Sequence, residues 1–231
     1  NFINFTDLLK KRSLEKKISI VAEIKKASPS AGLLVEDFDS VNIANIYAKH
    51  GASFLSVLTE EDFFLGKLEY IKNIKSILTL PILCKDFFID TYQVALAKSF
   101  GADCILIILA AVDKILAKDL YQAAKDLNIS TLVEVHSEKE ADLALNYEDS
   151  IIGINNRNLK TLEVTLDTTI KLSKILKPHT NPLICESGIH SPDDVKLIIN
   201  KTHIYNFLIG ESLLTSNDIP QKLKEFTQIT L

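Results

Sequence analysis

Charged and amide side chains recur at one kind of place in this chain, at the ends of short apolar runs. Glu23 and Lys25 stand in "VAEIKK", and Ser28 and Pro29 follow in "ASPS". Lys85 and Asp86 follow "PILC", trailed by Phe87, and Glu134 and His136 end "TLVEVH". Asn155, Asn156 and Arg157 follow "IIGI". Glu186, Ser187 and Gly188 follow "PLIC", and Gly210 and Glu211 follow "NFLI". Ions are costly to bury, and buried ones are as a rule paired or functional. Carboxylates among ammonium groups are the material of proton transfer. For Lys85 and Asp86 taken alone, an ion pair at a strand end without chemistry is a fair reading. It weakens because most of the apolar runs end in ionisable or amide groups.

The runs themselves define the elements that carry these residues. There are eight: 18–24, 53–59, 81–85, 103–109, 131–135, 151–155, 182–187 and 206–210. They are rich in Val, Ile and Leu and show little period-2 alternation, as expected for parallel strands buried on both faces. Between them lie amphipathic stretches with apolar residues at helical spacing, such as "VNIANIYAKH" and "VDKILAKDLYQAAKDL". Ser137 and the run Ser191-Pro192-Asp193-Asp194 read as helix starts. Gly51 and Gly101 read as helix stops just ahead of strands. Eight evenly spaced strand–helix units predict an α/β fold, a closed (β/α)8 barrel spanning 1–231 as one domain. The stretch 1–17 predicts a short N-terminal helical extension under the barrel. The first glycine-bearing loop, Pro29-Ser30-Ala31-Gly32, lacks the G-x-G-x-x-G pattern, which removes the main support for a dinucleotide-binding sheet.

Composition narrows the function classes. The 231 residues are 47% hydrophobic and 24% charged, with a net charge of -4. No basic block favours a nucleic-acid partner. The longest apolar run, 104–112, is too short to cross a bilayer, and the N-terminal stretch lacks the apolar centre of a signal peptide. A cytoplasmic protein with no membrane partner is expected. Met is absent even at position 1, so the expectation is that Asn1 is not the translation start or that the chain has been edited. Cys84, Cys104 and Cys185 form no C-x-x-C pair and read as small core residues. No His/Asp/Glu spacing suggests a metal site. His136 lies one residue past its strand and reads as a surface or loop position.

In a barrel of this kind chemistry sits at the C-terminal ends of the strands. The polar ends therefore converge on one mouth, with Lys85 pointing into it. The ends of the seventh and eighth strands are the usual place for phosphate in such barrels. Gly188 and Gly210 stand there with backbone bare enough for an anion to approach.

Together, the strings "AEIKKASPSAG", "LSVLTE", "PILCKDFFID", "LVEVH", "IGINNRNL", "CESGI" and "FLIGESL" closely resemble the indole-3-glycerol-phosphate synthase family of tryptophan biosynthesis. The resemblance runs from about residue 5 to about residue 226, with motifs in the family's order. It implies a carboxy-lyase that closes 1-(2-carboxyphenylamino)-1-deoxyribulose 5-phosphate into an indole, losing carbon dioxide and water, with no metal or organic cofactor. It implies a phosphorylated small molecule as substrate and allows other tryptophan-pathway enzymes as partners. By motif, Glu23, Lys25, Lys85 and Glu134 match the family's acid–base set. Asn155 and Arg157 match groups that hold the sugar hydroxyls and the intermediate. Ser28, Glu186 and Ser187 match further active-site positions, Ser187 among the catalytic ones. Gly188, Gly210 and the backbone of Glu211 match the phosphate site, with Lys25 reaching toward the anion. Pro29 and Phe87 would clamp the anthranilate ring.

Elementary chemistry agrees with that set. Ring closure places negative charge on the ketone oxygen, so a protonated lysine beside it can donate. Lys85 is the expected general acid, kept charged by Glu23 and Glu134. Cys84 and Ala31 replace an arginine and a lysine frequent in the family, and Cys84 is expected to face away from the substrate. The nearest rival is another phosphate-binding barrel of amino-acid biosynthesis, such as phosphoribosylanthranilate isomerase or the tryptophan synthase α-type lyase; the isomerase would call for a Cys/Asp pair where this chain has Glu23 and Lys25. A barrel that only binds a phosphorylated ligand would not need Lys85, Glu134, Asn155 and Arg157 together.

Overall fold

The computed structural model describes residues 4–229. Residues 1–3 of the expected N-terminal extension, and 230–231 at the other end, lie outside the described residues. Eight parallel strands close into a barrel in sequence order. They are Ser19–Ile24, Phe54–Leu58, Ile82–Lys85, Cys104–Ile108, Ser130–Val135, Ile151–Asn155, Leu183–Glu186 and Asn206–Ile209. The first strand pairs with both the second and the eighth, which closes the ring. Its six residues are all buried, one face against barrel interior and the other against helices. That double burial is why the strands lack alternation in sequence.

The helices between strands start and stop where their terminal residues dictate. Asp39, Asp90, Asp113, Ser137, Ser191 and Asp218 each accept backbone N–H bonds as N-caps. At Ser191 a full capping box forms with Asp194, and Pro192 opens the helix. Gly51 and Gly101 both adopt φ of +100°, a backbone turn that a side chain would strain. The caps at Ser137 and Ser191 and the stops at Gly51 and Gly101 match the signals read from sequence.

The N-terminal helix, Phe5–Leu14, packs under the barrel as expected. The Phe5 ring meets Phe54 at 4.5 Å between centroids, at the start of the second strand. Thr6 donates to Ser130 Oγ at 3.1 Å, and Asn206 donates to Ser13 Oγ at 2.9 Å, at the starts of the fifth and eighth strands. Phe5 and Leu9 are fully buried, each worth roughly 1.5–3 kcal/mol of apolar burial.

Two features at the opposite, C-terminal face were not anticipated. The chain after the first strand folds into a small antiparallel pair, Ala27–Ser28 with Gly32–Leu33. After the eighth strand a four-residue helix, Glu211–Leu214, precedes the last long helix, Ile219–Thr227. The seventh strand also ends one residue sooner than the apolar run suggested. Ser187 turns out of it at φ 64° and Gly188 follows at φ 81°.

Candidate active site

The strand ends enclose a cavity of about 490 Å³ at the C-terminal mouth. Every expected site residue lines it except Glu186. Apolar side chains form one wall and rim, with Phe64 and Phe87 rings 6.4 Å apart and Leu106 and Ile108 from the fourth strand. Phe87 is 42% exposed, so its ring is available to a ligand, whereas Phe88 is packed in the core. Glu60 shapes this rim from behind. Its carboxylate accepts the backbone N–H of Asp62, Phe63 and Phe64, which folds the loop after the second strand.

Lys85 stands at the centre of the charges. Its Nζ is 3.0 Å from Glu23 Oε2 and 3.4 Å from Glu186 Oε2. Asp86, its neighbour in sequence, is engaged elsewhere, accepting from Thr59 Oγ1 and from the Phe87 N–H. A local Lys85–Asp86 ion pair is therefore not what the motif builds. Burial alone would lower the Lys85 pKa, but Glu23, Glu186 and Glu134 reverse this and raise it well above the ordinary lysine value. The ammonium is thus charged, held chiefly by Glu23 and Glu186, with Glu134 contributing from further off.

Glu23 carries two cations, Lys85 and Lys25, the latter at 2.7 Å. Burial pushes its pKa up, yet the two lysines win and bring it to about 2. Lys25, expected to reach toward the phosphate, is turned onto Glu23 instead. Glu23 is positioned by its own strand and by an absence next door. A Cβ added to Gly210 would overlap Glu23 Oε1. Gly210 thus makes room for a carboxylate, in addition to baring its backbone.

Glu186, which the resemblance matches to an active-site position, lies beneath Lys85, with its side chain 1% exposed. The reason is Gly153, whose missing Cβ leaves the space that Glu186 Oε1 fills. That oxygen is buried without a hydrogen-bond partner. Burial, then the nearby charge of Glu134, push the Glu186 pKa up to about 8, with Lys85 opposing. In this buried pair Glu186 is the carboxyl whose pKa is raised and Glu134 the one whose pKa is lowered.

Asn155 ties three strands together. Its Nδ2 donates to Glu134 Oε1 at 3.2 Å, and its Oδ1 accepts from Ser187 Oγ at 2.9 Å and the Arg157 N–H at 3.0 Å. Arg157 extends over the mouth, with one nitrogen 3.3 Å from Glu211 Oε2 and another 3.4 Å from the Leu162 carbonyl oxygen. Ser187 and Gly188, both in the left-handed region, turn the chain across the mouth toward the short helix at Glu211. Side chains in that region cost energy and persist where surroundings enforce them. Here buried Asn156 does so, donating to the Glu186 and Ser187 carbonyls at 3.0 Å each. Its own carbonyl accepts from Thr169 N–H and Oγ1.

Sequence reasoning missed Asn156 as this anchor, the role of Gly153, and the environment of His136. His136 is no surface residue. Its side chain is 9% exposed, with Nε2 3.0 Å from Glu134 Oε1 and Nδ1 3.2 Å from Glu140 Oε2. The spacing Glu134–His136–Glu140 in "EVHSEKE" was the available signal. Cys84, Cys104 and Cys185 are buried and free. Cys84 lies against Thr59 Oγ1 and away from the cavity, as expected. Among the described residues no His/Cys/Asp/Glu group is arranged to hold a metal ion, and no helix is long and apolar enough to cross a membrane.

Known proteins resemble this chain at two levels. A family model described as "Indole-3-glycerol phosphate synthase" matches residues 1–226. A protein named indole-3-glycerol phosphate synthase from Bordetella pertussis is 44% identical over 214 residues, covering 93% of this chain and 81% of the relative. One of the same name from Albidiferax ferrireducens is 47% identical over 200 residues, covering 87% and 75%. Among solved structures, thiamine phosphate pyrophosphorylase from Pyrococcus furiosus superposes with a TM-score of 0.67 at 14% identity, covering 93% of this chain and 96% of that one. An N-(5'-phosphoribosyl)anthranilate isomerase from the same organism gives 0.65 at 14% identity, covering 91% and 97%. At that identity the likeness is one of barrel fold alone.

Proposed function

The chain belongs to the indole-3-glycerol phosphate synthase family, and from that premise we propose how its residues divide the work. The reaction converts 1-(2-carboxyphenylamino)-1-deoxyribulose 5-phosphate to indole-3-glycerol phosphate, carbon dioxide and water. The ring carbon bearing the carboxylate attacks the ketone carbon, and the ketone oxygen takes a proton. Carbon dioxide then leaves, returning its electron pair to the ring. The new hydroxyl departs as water while a proton is lost from the carbon beside nitrogen, which completes the pyrrole ring.

Lys85 is the general acid for the ketone oxygen. The observation that carries this assignment is its bracketing by Glu23 and Glu186, which keeps the ammonium protonated in a largely buried setting. A fixed cation there stabilises charge that develops only in the transition state. Glu134 is the base of the dehydration step, its pKa lowered while that of its neighbour Glu186 is raised. Two carboxyl groups with divergent pKa values are a common way to divide acid and base roles. Asn155 orients Glu134 and Ser187 toward the sugar hydroxyls, and Arg157 offers a planar fork to oxygens of the intermediate. Ser28 sits at the same mouth and serves the substrate's polar groups.

The phosphate is assigned to the amides of Gly188, Gly210 and Glu211, at the usual anion position of such barrels. Lys25 releases Glu23 in part when the anion arrives. Pro29 and Phe87 flank the anthranilate ring, with Phe64 and the fourth strand behind it. The direct test is incubation with the anthranilate–ribulose phosphate, read by the appearance of indole fluorescence. Binding of the substrate without fluorescence would reduce the chain to a phosphate-binding barrel.

A further inference from the structure

We propose that His136 is a positioning residue for Glu134: braced by Glu140, it acts as an imidazolium that holds the Glu134 carboxylate ionised and fixed at the cavity. The inference rests on the proposed role of Glu134 as base.

The geometry starts from chain direction. Glu134 is buried on the fifth strand and lines the cavity. His136 follows on the same side of the strand, two residues on. Ser137 then caps the helix Glu138–Ala144, and Glu140 in its first turn swings back. The Glu140 carboxylate accepts the His136 N–H at 2.8 Å and Ser137 Oγ at 2.7 Å, which fixes it beneath the ring.

The two nitrogens of His136 thus face two different carboxylates, Glu134 at 3.0 Å and Glu140 at 3.2 Å. Ionised carboxylates only accept hydrogen bonds, and a neutral imidazole has one N–H. A neutral ring would set a lone pair against one of these oxygens, at a cost in a buried place. The charged ring instead sets positive charge beside both carboxylates. Consistent with this, burial would lower the His136 pKa, but Glu134 and Glu140 raise it to about 9. The Nε2–H points out of line with Glu134 Oε1, so the ring acts on that carboxylate mainly through charge and contact.

Glu134 feels charged and polar groups from three other strands. Lys85 on the third strand stabilises its charge and Asn155 on the sixth donates to it, whereas Glu186 on the seventh competes for that charge. Burial also favours the neutral form. His136 adds a second positive charge beside Glu134, next to that of Lys85. Without it, Glu134 would titrate at higher pH and swing more freely.

The test is the pH dependence of kcat and KM for the wild type, His136→Gln and Glu140→Gln. Gln at 140 keeps an acceptor in the helix's first turn and removes only the charge. For His136→Gln, kcat at neutral pH should fall roughly 10-fold or more while KM stays within about 2-fold. The acidic limb of kcat/KM should move up by about one pH unit. Glu140→Gln should move the limb the same way by less. An unmoved limb in a folded His136→Gln protein, or a rise in KM with kcat untouched, overturns the proposal. NMR titration of the His136 ring in the wild type gives a readout free of turnover. A ring charged through neutral pH supports the proposal, even if His136→Gln fails to fold, and a ring neutral at pH 7 overturns it. If the wild type does not turn over the substrate, the proposed function fails, and the ring titration still decides the state of His136.

Discussion

The Lys85 ammonium lies 3.0 Å from Glu23 Oε2, so an ion pair joins the first and third strands over the second. Glu186 adds a second contact from the seventh strand at 3.4 Å. The lysine is therefore held from both sides of the barrel axis. Its neighbour Lys25 has Glu23 alone as its carboxylate partner among the ion pairs of the described residues. The two lysines differ in environment, and that difference is testable.

Lys85→Met should cut kcat by roughly 100-fold or more while substrate still binds, because a proton donor acts in the transition state. Lys25→Met should weaken binding at least as much as it slows turnover. Steady-state kinetics with a separate binding titration reads both. The reverse pattern would move the acid role to Lys25.

Gly153 has a clear mechanical role. A Cβ there would overlap Glu186 Oε1 and crowd Leu132 Cδ1 at 3.2 Å. Gly153→Ala should destabilise the barrel by roughly 1–3 kcal/mol, read as a lower urea midpoint. In a Glu186→Ala background the same change should cost less, since the displaced carboxyl is gone. Equal costs in both backgrounds would show that Glu186 is not what occupies the space.

Much of this arrangement is visible before any coordinates. The strands are legible because each is buried on both faces and reads as an unbroken apolar run. The mouth is legible because barrel strands deliver their C-terminal residues to one face. What is not legible is how side chains pair across strands distant in sequence. Glu186 and Gly153 meet only through the register of the sixth and seventh strands, in which Gly153 stands opposite Ile184. His136 reads as a loop residue because its partners include Glu140, whose return depends on the helix starting at Ser137. Lys25 bonds Glu23, a choice that periodicity does not contain.

Arg157 spans Glu211 and the Leu162 carbonyl through two different nitrogens of its planar guanidinium, a fork that an ammonium lacks. Arg157→Lys should lower kcat/KM by about 10-fold or more, in line with one lost charged hydrogen bond. An unchanged value would leave Arg157 a purely structural link between the loop and the short helix.

A sulfate soak tests the phosphate assignment. The anion should lie within hydrogen-bond reach of the Gly188 and Gly210 amides. Density only elsewhere, with that corner filled by side chains, would require a different orientation of the substrate.

The pH dependence of stability gives a test independent of turnover. His136 has a folded pKa of about 9 against an ordinary value of 6.5. A raised pKa means that the folded state binds the proton more tightly than the unfolded chain. The stabilisation is complete below pH 6.5 and is lost as pH rises toward 9. Glu186 acts in the same direction over a lower window, from its ordinary value of 4.5 to about 8. Glu23 acts oppositely, with a folded pKa of about 2, so its contribution is lost only as pH falls from 4.5 toward 2. Urea midpoints should therefore decline between pH 6.5 and 9 in the wild type. In His136→Gln that decline should be shallower, because one of the two groups that drive it has been removed. Parallel curves for the two proteins over this window would mean that His136 is not held charged between Glu134 and Glu140.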